Sequence, residues 1–154
     1  MDIEKIISSL IEKNISVATA ESCTGGKIAS AVTDVPGASG IFGYGVVTYS
    51  NEAKVKILGV SQSTLDAHGA VSEETAYEMA KGLRKLSGAD VAVSVTGIAG
   101  PGGGSAEKPV GLVYMGLAVN GEIFVKKNLF KGDRDEIRRQ TVETALCWIA
   151  EKVL

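Results

Sequence analysis

The sequence predicts an α/β fold: a single three-layer α/β/α domain (residues 1–154) whose mixed sheet includes a C-terminal β-hairpin. Three observations predict it. Helical apolar stripes alternate with short runs of Val, Ile and Ala along most of the chain, the pattern of strands covered by helices. Asn120-Gly121 joins two apolar stretches, a strong hairpin signal that makes part of the sheet antiparallel. The length, 154 residues, suits one compact domain with a proper core and no staples.

Ile3, Ile6, Ile7, Leu10 and Ile11 recur at helical spacing, and Asn14 stops that helix. Residues 16–20 read as a short buried strand that runs into the Glu21–Gly26 turn. A second helix carries Ile28, Ala29, Ala31 and Val32. Val35–Gly40 is loop by its turn chemistry. Residues 41–49 form a strand whose two glycines mark a bulge or a close backbone approach. Ser50-Asn51 caps a helix bearing Lys54, Val55, Ile57 and Leu58, and a short helix over 62–67 follows. Ser72 caps a longer helix, with Glu73 and Glu74 at its positive end and Ala76, Met79, Ala80 and Leu83 as its buried stripe. Residues 91–95 form a second buried strand that feeds a glycine-rich stretch over 97–111. The hairpin uses 110–119 and 122–129. Asp133 and Glu136 then open the last helix as a capping box, with Ile137, Val142, Ala145, Leu146, Ile149 and Val153 along one face.

Composition narrows the function classes. Hydrophobic residues at 45% and charged residues at 22% are ordinary for a globular protein. The net charge of −2 is spread along the chain, giving no electrostatic reason to bind a nucleic acid or an anionic membrane. Cys23, Cys147 and the single His68 are too few for a structural zinc site. The opening residues read as an amphipathic helix rather than a signal peptide, and no apolar run approaches a bilayer span. A reduced cytoplasmic compartment is expected.

Most familiar chemistries do not fit. A Ser-His-Asp triad would have to use His68, which sits at a helix end where capping or surface roles are common, and no serine lies in a GxSxG elbow. Gly25-Gly26-Lys27 is followed by Ile28 where a phosphate loop needs Ser or Thr. The Gly100–Gly104 run lies between two strands, so it is no dinucleotide fingerprint. It reads either as a flexible surface loop or as backbone able to approach a ligand closely.

Ser22 lies where a buried strand gives way to a helix. It can be an ordinary N-cap, or a nucleophile whose oxyanion is held by free amides of the following turn. Cys23 could take that role instead, although no imidazole is at hand. A serine without histidine needs a lysine of lowered pKa as base. Lys54 sits near the positive end of its helix, which disfavours an ammonium, and Tyr49 could orient the pair or relay a proton.

The motifs together resemble the CinA C-terminal domain family. They are Thr19–Gly26, Val47–Lys54, His68–Ser72, Thr96–Gly103, Lys108–Gly111 and Gly132–Arg134, in order along nearly the whole chain. The resemblance implies a nicotinamide-nucleotide amidohydrolase that releases ammonia from nicotinamide mononucleotide to leave nicotinic acid mononucleotide. It implies Ser22 as nucleophile, Lys54 as base and Tyr49 as a supporting hydroxyl. Glu21, Thr24, Gly25 and Gly26 around the nucleophile, with Thr96, Gly97, Gly100, Pro101, Gly102 and Gly103 of the later loop, would bind the substrate. Glu21 would orient the site or serve as a buried structural carboxylate. Arg134 or Arg138 would meet the phosphate, unless both are solvated helix charges. No metal or cofactor is implied. The partner would be a small nucleotide, and the assembly a homo-oligomer, with a dimer favoured. Many relatives carry this domain behind a larger nucleotide-hydrolysing one, so a stand-alone form without pyrophosphatase activity is expected. The alternatives are a non-catalytic nucleotide-binding module and an amidase for another small amide.

Overall fold

The computed structural model describes residues 2–154. In chain order its elements are α1 (Ile3–Glu12), β1 (Val17–Glu21), α2 (Lys27–Thr33), a 3₁₀ turn (Ala38–Gly40), β2 (Phe42–Val47), α3 (Asn51–Leu58), α4 (Gln62–His68), α5 (Glu73–Ser87), β3 (Val91–Gly97), β4 (Leu112–Val119), β5 (Glu122–Leu129) and α6 (Arg134–Val153). Side chains set several of these boundaries. Asp2, Ser50 and Ser72 accept hydrogen bonds from the first-turn amides of α1, α3 and α5, and Asp133 with Glu136 forms a capping box on α6. Asn14, with φ of 54°, turns the chain out of α1.

One mixed five-stranded sheet runs in the order β2-β1-β3-β4-β5. β1 is parallel to both β2 and β3, whereas β3–β4 and β4–β5 are antiparallel. Helices cover both faces, as expected. The two faces of the sheet differ in side-chain size. Val17, Val91, Val93, Val95, Val113, Met115 and Leu117 pack with residues of α1, α2 and α6 in one core. The other face, with Ala18, Ala20, Ala92 and Ala118, packs against Met79, Ala80 and Leu83 of α5. Small residues there let α5 come close: a Cβ on Gly116 would lie 2.3 Å from the Ala76 carbonyl oxygen. That oxygen accepts from Ser94 Oγ at 2.7 Å.

Element boundaries differ modestly from expectation. β1 is shifted to 17–21, β2 stops at Val47, and β4 begins at Leu112 instead of 110. The last difference has a steric cause. Gly111 has φ of 94° and passes so near the Phe130 carbonyl oxygen that a Cβ would sit 1.9 Å from it, so the strand starts only after this turn. The two β2 glycines do separate jobs. The register skips Gly43, which is the bulge. At Gly45 the crowding comes from side chains and not from another backbone: a Cβ would lie 2.8 Å from Phe42 Cζ and 3.2 Å from Thr19 Oγ1. The buried face of α6 gains Thr141 and Trp148, while Val153 is only partly covered. Among the described residues no helix is long and apolar enough to cross a membrane.

α3 and α5 cross at Gly82, where a Cβ would lie 1.7 Å from the Leu58 carbonyl oxygen. Glycine to alanine in a helix normally stabilises by up to about 1 kcal/mol. Here the sign reverses. Gly82→Ala is expected to destabilise by about 3 kcal/mol, because two backbones must separate. The midpoint and slope of urea unfolding check this.

The chain leaves β1 toward the α2 layer and β2 toward the α3–α5 layer. Adjacent parallel strands whose connections depart to opposite faces open a crevice at their carboxyl ends. Ser22, Lys54 and Thr96 all lie at that end of the sheet.

Candidate active site

Ser22 follows β1 directly, and its amide donates to the Val95 carbonyl at 3.1 Å, extending the parallel ladder by one residue. The turn from 22 to 26 ends in Gly25 and Gly26, with φ of 60° and 104°, and Gly26 is the N-cap of α2. Ser22 is therefore not a helix cap. Glu21 does that work: its buried carboxylate accepts from the amides of Ile28 (2.8 Å) and Ala29 (3.0 Å) and from Thr24 Oγ1 (2.6 Å). Arg138 braces the turn from α6, donating to the carbonyls of Cys23 (3.0 Å) and Thr24 (3.1 Å). A Cβ on Gly25 would press to 3.1 Å from that guanidinium. Among the described residues no backbone carbonyl accepts from the amides of Cys23 or Thr24.

Lys54 sits in the first turns of α3 and is 1% exposed. Its Nζ donates to Ser22 Oγ at 3.0 Å, to the Thr48 carbonyl at 2.7 Å and, at 3.5 Å, to that of Tyr49. No carboxylate pairs with it among the described residues. Burial lowers its pKa below the usual 10.5, and the nearby Cys23 opposes this only in part. A neutral amine has two N–H bonds and one lone pair. Two carbonyls can take the N–H bonds, leaving the lone pair for the Ser22 proton. Cys23 is a different kind of group. Burial pushes its thiol up to about 11, and its side chain belongs to the core beneath α2 and α6. At neutral pH it is a protonated apolar filler, not a nucleophile.

These residues line a cleft of about 200 Å³ with Tyr49, Ala70, Val71, Thr96, Gly97, Ala99 and Arg134. Thr96 Oγ1 donates to the Ala70 carbonyl at 2.8 Å, joining two walls. Gly97 has no room for a side chain, since a Cβ would meet Val113 Cγ2 at 2.6 Å. Arg134 straps the mouth, donating to the Gly100 carbonyl at 2.7 Å and to Tyr49 Oη at 3.2 Å. A roomier groove of about 310 Å³ between α1, α2 and α6 is lined by Lys27, Asp34, Asp135, Arg139 and Glu143. Most of those side chains face solvent.

The structure thus divides the residues that the sequence grouped together. Ser22, Lys54, Tyr49, Thr96, Gly97 and Arg134 line one cleft, and Gly100 contributes its carbonyl to the strap. Glu21, Thr24, Gly25, Gly26 and Arg138 are not among its lining residues and instead shape the turn that presents Ser22. Pro101, Gly102 and Gly103 lie on the exposed loop tip, away from the cleft. His68 ends α4 outside the cleft, 3.7 Å from Glu74. Ala70 and Val71 also line the cleft, beside Ala99 of the expected Thr96–Gly103 stretch. The first two belong to the His68–Ser72 motif, and that motif was the only signal available for them.

Comparison with known proteins gives a consistent result. The family profile of the CinA C-terminal domain matches residues 2–153. A Caldanaerobacter subterraneus protein named for competence-damage induction is 58% identical over 142 residues, covering 92% of this chain and 34% of the relative. The chain spans about a third of the length of such curated relatives. The crystal structure of the competence/damage inducible protein CihA from Agrobacterium tumefaciens is similar at a TM-score of 0.92 and 48% identity, covering 97% of this chain and 94% of that one. The competence-damaged protein (CinA) superfamily protein from Escherichia coli gives 0.93 and 37%, covering 99% and 91%.

Proposed function

Because the chain belongs to the CinA C-terminal domain family, we propose that it is a nicotinamide-nucleotide amidohydrolase working through a Ser22–Lys54 pair. One observation carries the reading: a lysine with no carboxylate partner among the described residues, 1% exposed, lies 3.0 Å from a serine hydroxyl in a cleft. Burying an amine in this way is costly, and the arrangement suits a base that must be neutral to act.

In the proposed reaction Lys54 takes the Ser22 proton as Oγ attacks the carboxamide carbon. The amide of Cys23, a residue that lines the cleft and whose N–H meets no backbone acceptor among the described residues, is the donor at hand for the developing oxyanion. Collapse of the tetrahedral species expels ammonia, the proton returning from Lys54 to the leaving nitrogen. Water then attacks the acyl-enzyme, with Lys54 again accepting a proton, and releases the carboxylate and free Ser22. Nicotinamide mononucleotide to nicotinic acid mononucleotide is the transformation that the family resemblance supports.

Ammonia release from nicotinamide mononucleotide by the purified protein tests this. No release, with the nucleotide still bound, would favour a non-catalytic binding module. Release from simple amides at an equal rate would favour a different substrate.

Arg134 is the cation at the mouth, so it is the residue assigned to the phosphate. Arg134→Ala is expected to raise KM for the mononucleotide about tenfold, the scale of one charge-assisted hydrogen bond. KM for the riboside lacking the phosphate should change little. Equal effects on both substrates would remove Arg134 from phosphate binding.

A further inference from the structure

We infer that Thr48 is a positioning residue whose side-chain hydroxyl partners the Lys54 amine while that amine holds the Ser22 proton; this rests on the Ser22–Lys54 reading above. Among the described residues two buried side-chain oxygens have no hydrogen-bond partner, Thr19 Oγ1 and Thr48 Oγ1. A buried hydroxyl left unpaired costs stability and calls for a reason. Thr19 lies on the face toward α2, beside Gly45 and Ala29 and away from Lys54.

Thr48 lies at the reacting end of the sheet. Its amide donates to the Glu21 carbonyl at 2.9 Å, and that of Ser22 to the Val95 carbonyl, so both parallel ladders continue past their strands. Side chains alternate between the faces of a sheet. Ala20 of β1 and Val46 of β2 pack on the α5 side, so Ser22 and Thr48, two residues further on, point there as well. Lys54 reaches the same side from α3, which packs against α5.

The Lys54 amine has a matching shortage. Its short contacts are the Thr48 carbonyl at 2.7 Å and Ser22 Oγ at 3.0 Å. The Tyr49 carbonyl, at 3.5 Å, lies beyond the usual N–H···O range. On taking the Ser22 proton the amine has three N–H bonds and no lone pair. One turns to the reacting atoms and carries the proton to the leaving nitrogen, and one stays on the Thr48 carbonyl. The third has no short acceptor. Thr48 Oγ1 belongs to the residue whose carbonyl already holds Nζ, joined to that carbonyl through Cα and Cβ alone. Rotation between staggered positions about Cα–Cβ turns its oxygen to the third N–H.

No other group nearby can take this part. Of the residues lining the cleft with Lys54, Cys23, Tyr49 and Arg134 are titratable or charged, and the walls at Ala70, Val71 and Thr96 are not. Arg134 is engaged with the Gly100 carbonyl and Tyr49 Oη. Glu21 is turned to the amides of α2, and Glu78 of α5 accepts from the Ser61 amide. On α3 itself Glu52 and Lys56 are exposed.

The test is Thr48→Val, with Thr48→Ala and Thr48→Ser beside it. Valine has the shape of threonine without the hydroxyl. Its kcat for nicotinamide mononucleotide is expected to fall about tenfold, the scale of one hydrogen bond to a charged group, with KM within about threefold. The rising limb of turnover against pH should move about one unit lower, since losing the acceptor disfavours the ammonium by that same factor. Alanine should displace the limb equally, which separates the hydroxyl from packing, and serine should restore both kcat and limb. Tm of the valine variant should not fall, because an unpaired hydroxyl has been removed. A limb unmoved in the valine and alanine variants, whether or not Tm falls, would overturn the inference. So would a limb moved to higher pH, which would mean that the hydroxyl serves the neutral amine. Should the parent release no ammonia, the functional reading fails on its own. NMR titration of the Lys54 Cε signal in parent and valine variant then still decides whether the hydroxyl meets the ammonium.

Discussion

Replacing Ser22 with alanine is expected to lower ammonia release from nicotinamide mononucleotide by about 10⁴-fold or more while the nucleotide still binds. The loss is large because the hydroxyl would form the covalent bond itself. Little else depends on it. The turn around Ser22 is held by Arg138, by the Glu21 contacts to α2 and by the Ser22 amide in the ladder with Val95. None of these uses Oγ. Calorimetric titration of the variant with the mononucleotide, beside an ammonia assay, separates lost chemistry from lost binding. Retained turnover would place the nucleophile elsewhere. Cys23 is adjacent but its thiol is pushed up to about 11, so activity from it would climb only in strongly alkaline solution.

Lys54→Met is the second large effect, with a drop of about 10³-fold, the upper part of the range for losing a general base. Lys54→Arg should be as inactive, because a guanidinium keeps its proton. The pH dependence gives an independent check. Turnover by the parent should rise with pH through the folded-state pKa of Lys54, which burial places below 10.5.

Stability should follow the same group. Between the lowered folded-state pKa and 10.5, the unfolded chain binds the proton and the folded one does not, so stability rises with pH across that window. Below the folded-state value both states are protonated and this slope vanishes. Lys54→Met should flatten the rise, as read from urea midpoints at several pH values. A parent whose turnover shows no rise with pH anywhere below 10.5 over the range in which the protein stays folded would remove Lys54 as the base.

Much of the architecture was legible in local sequence. Asp133 with Glu136, Ser72 before two glutamates, and Asn120-Gly121 each specify their boundary through atoms a few residues away, and all three occur as expected. The unequal faces of the sheet were less legible. Val91–Val95 reads as one apolar run, and only the placement of α5 shows why Ala92 and Ser94 must be small on one side.

By itself the sequence determined the helices, the strands, the hairpin, the family resemblance and a list of residues able to do chemistry. Side-chain periodicity and capping act over a few residues and leave that record. The tertiary structure alone decided where each of those residues sits and what it touches. Ser22 and Lys54 are 32 positions apart, and they meet because β1 and β2 lie side by side and parallel, with the chain leaving their carboxyl ends to opposite faces. The same packing turns Glu21 toward α2 and separates Arg134 at the cleft mouth from Arg138 behind the Ser22 turn. One helical turn separates the two arginines in sequence, and only the neighbours of α6 in space give them different work.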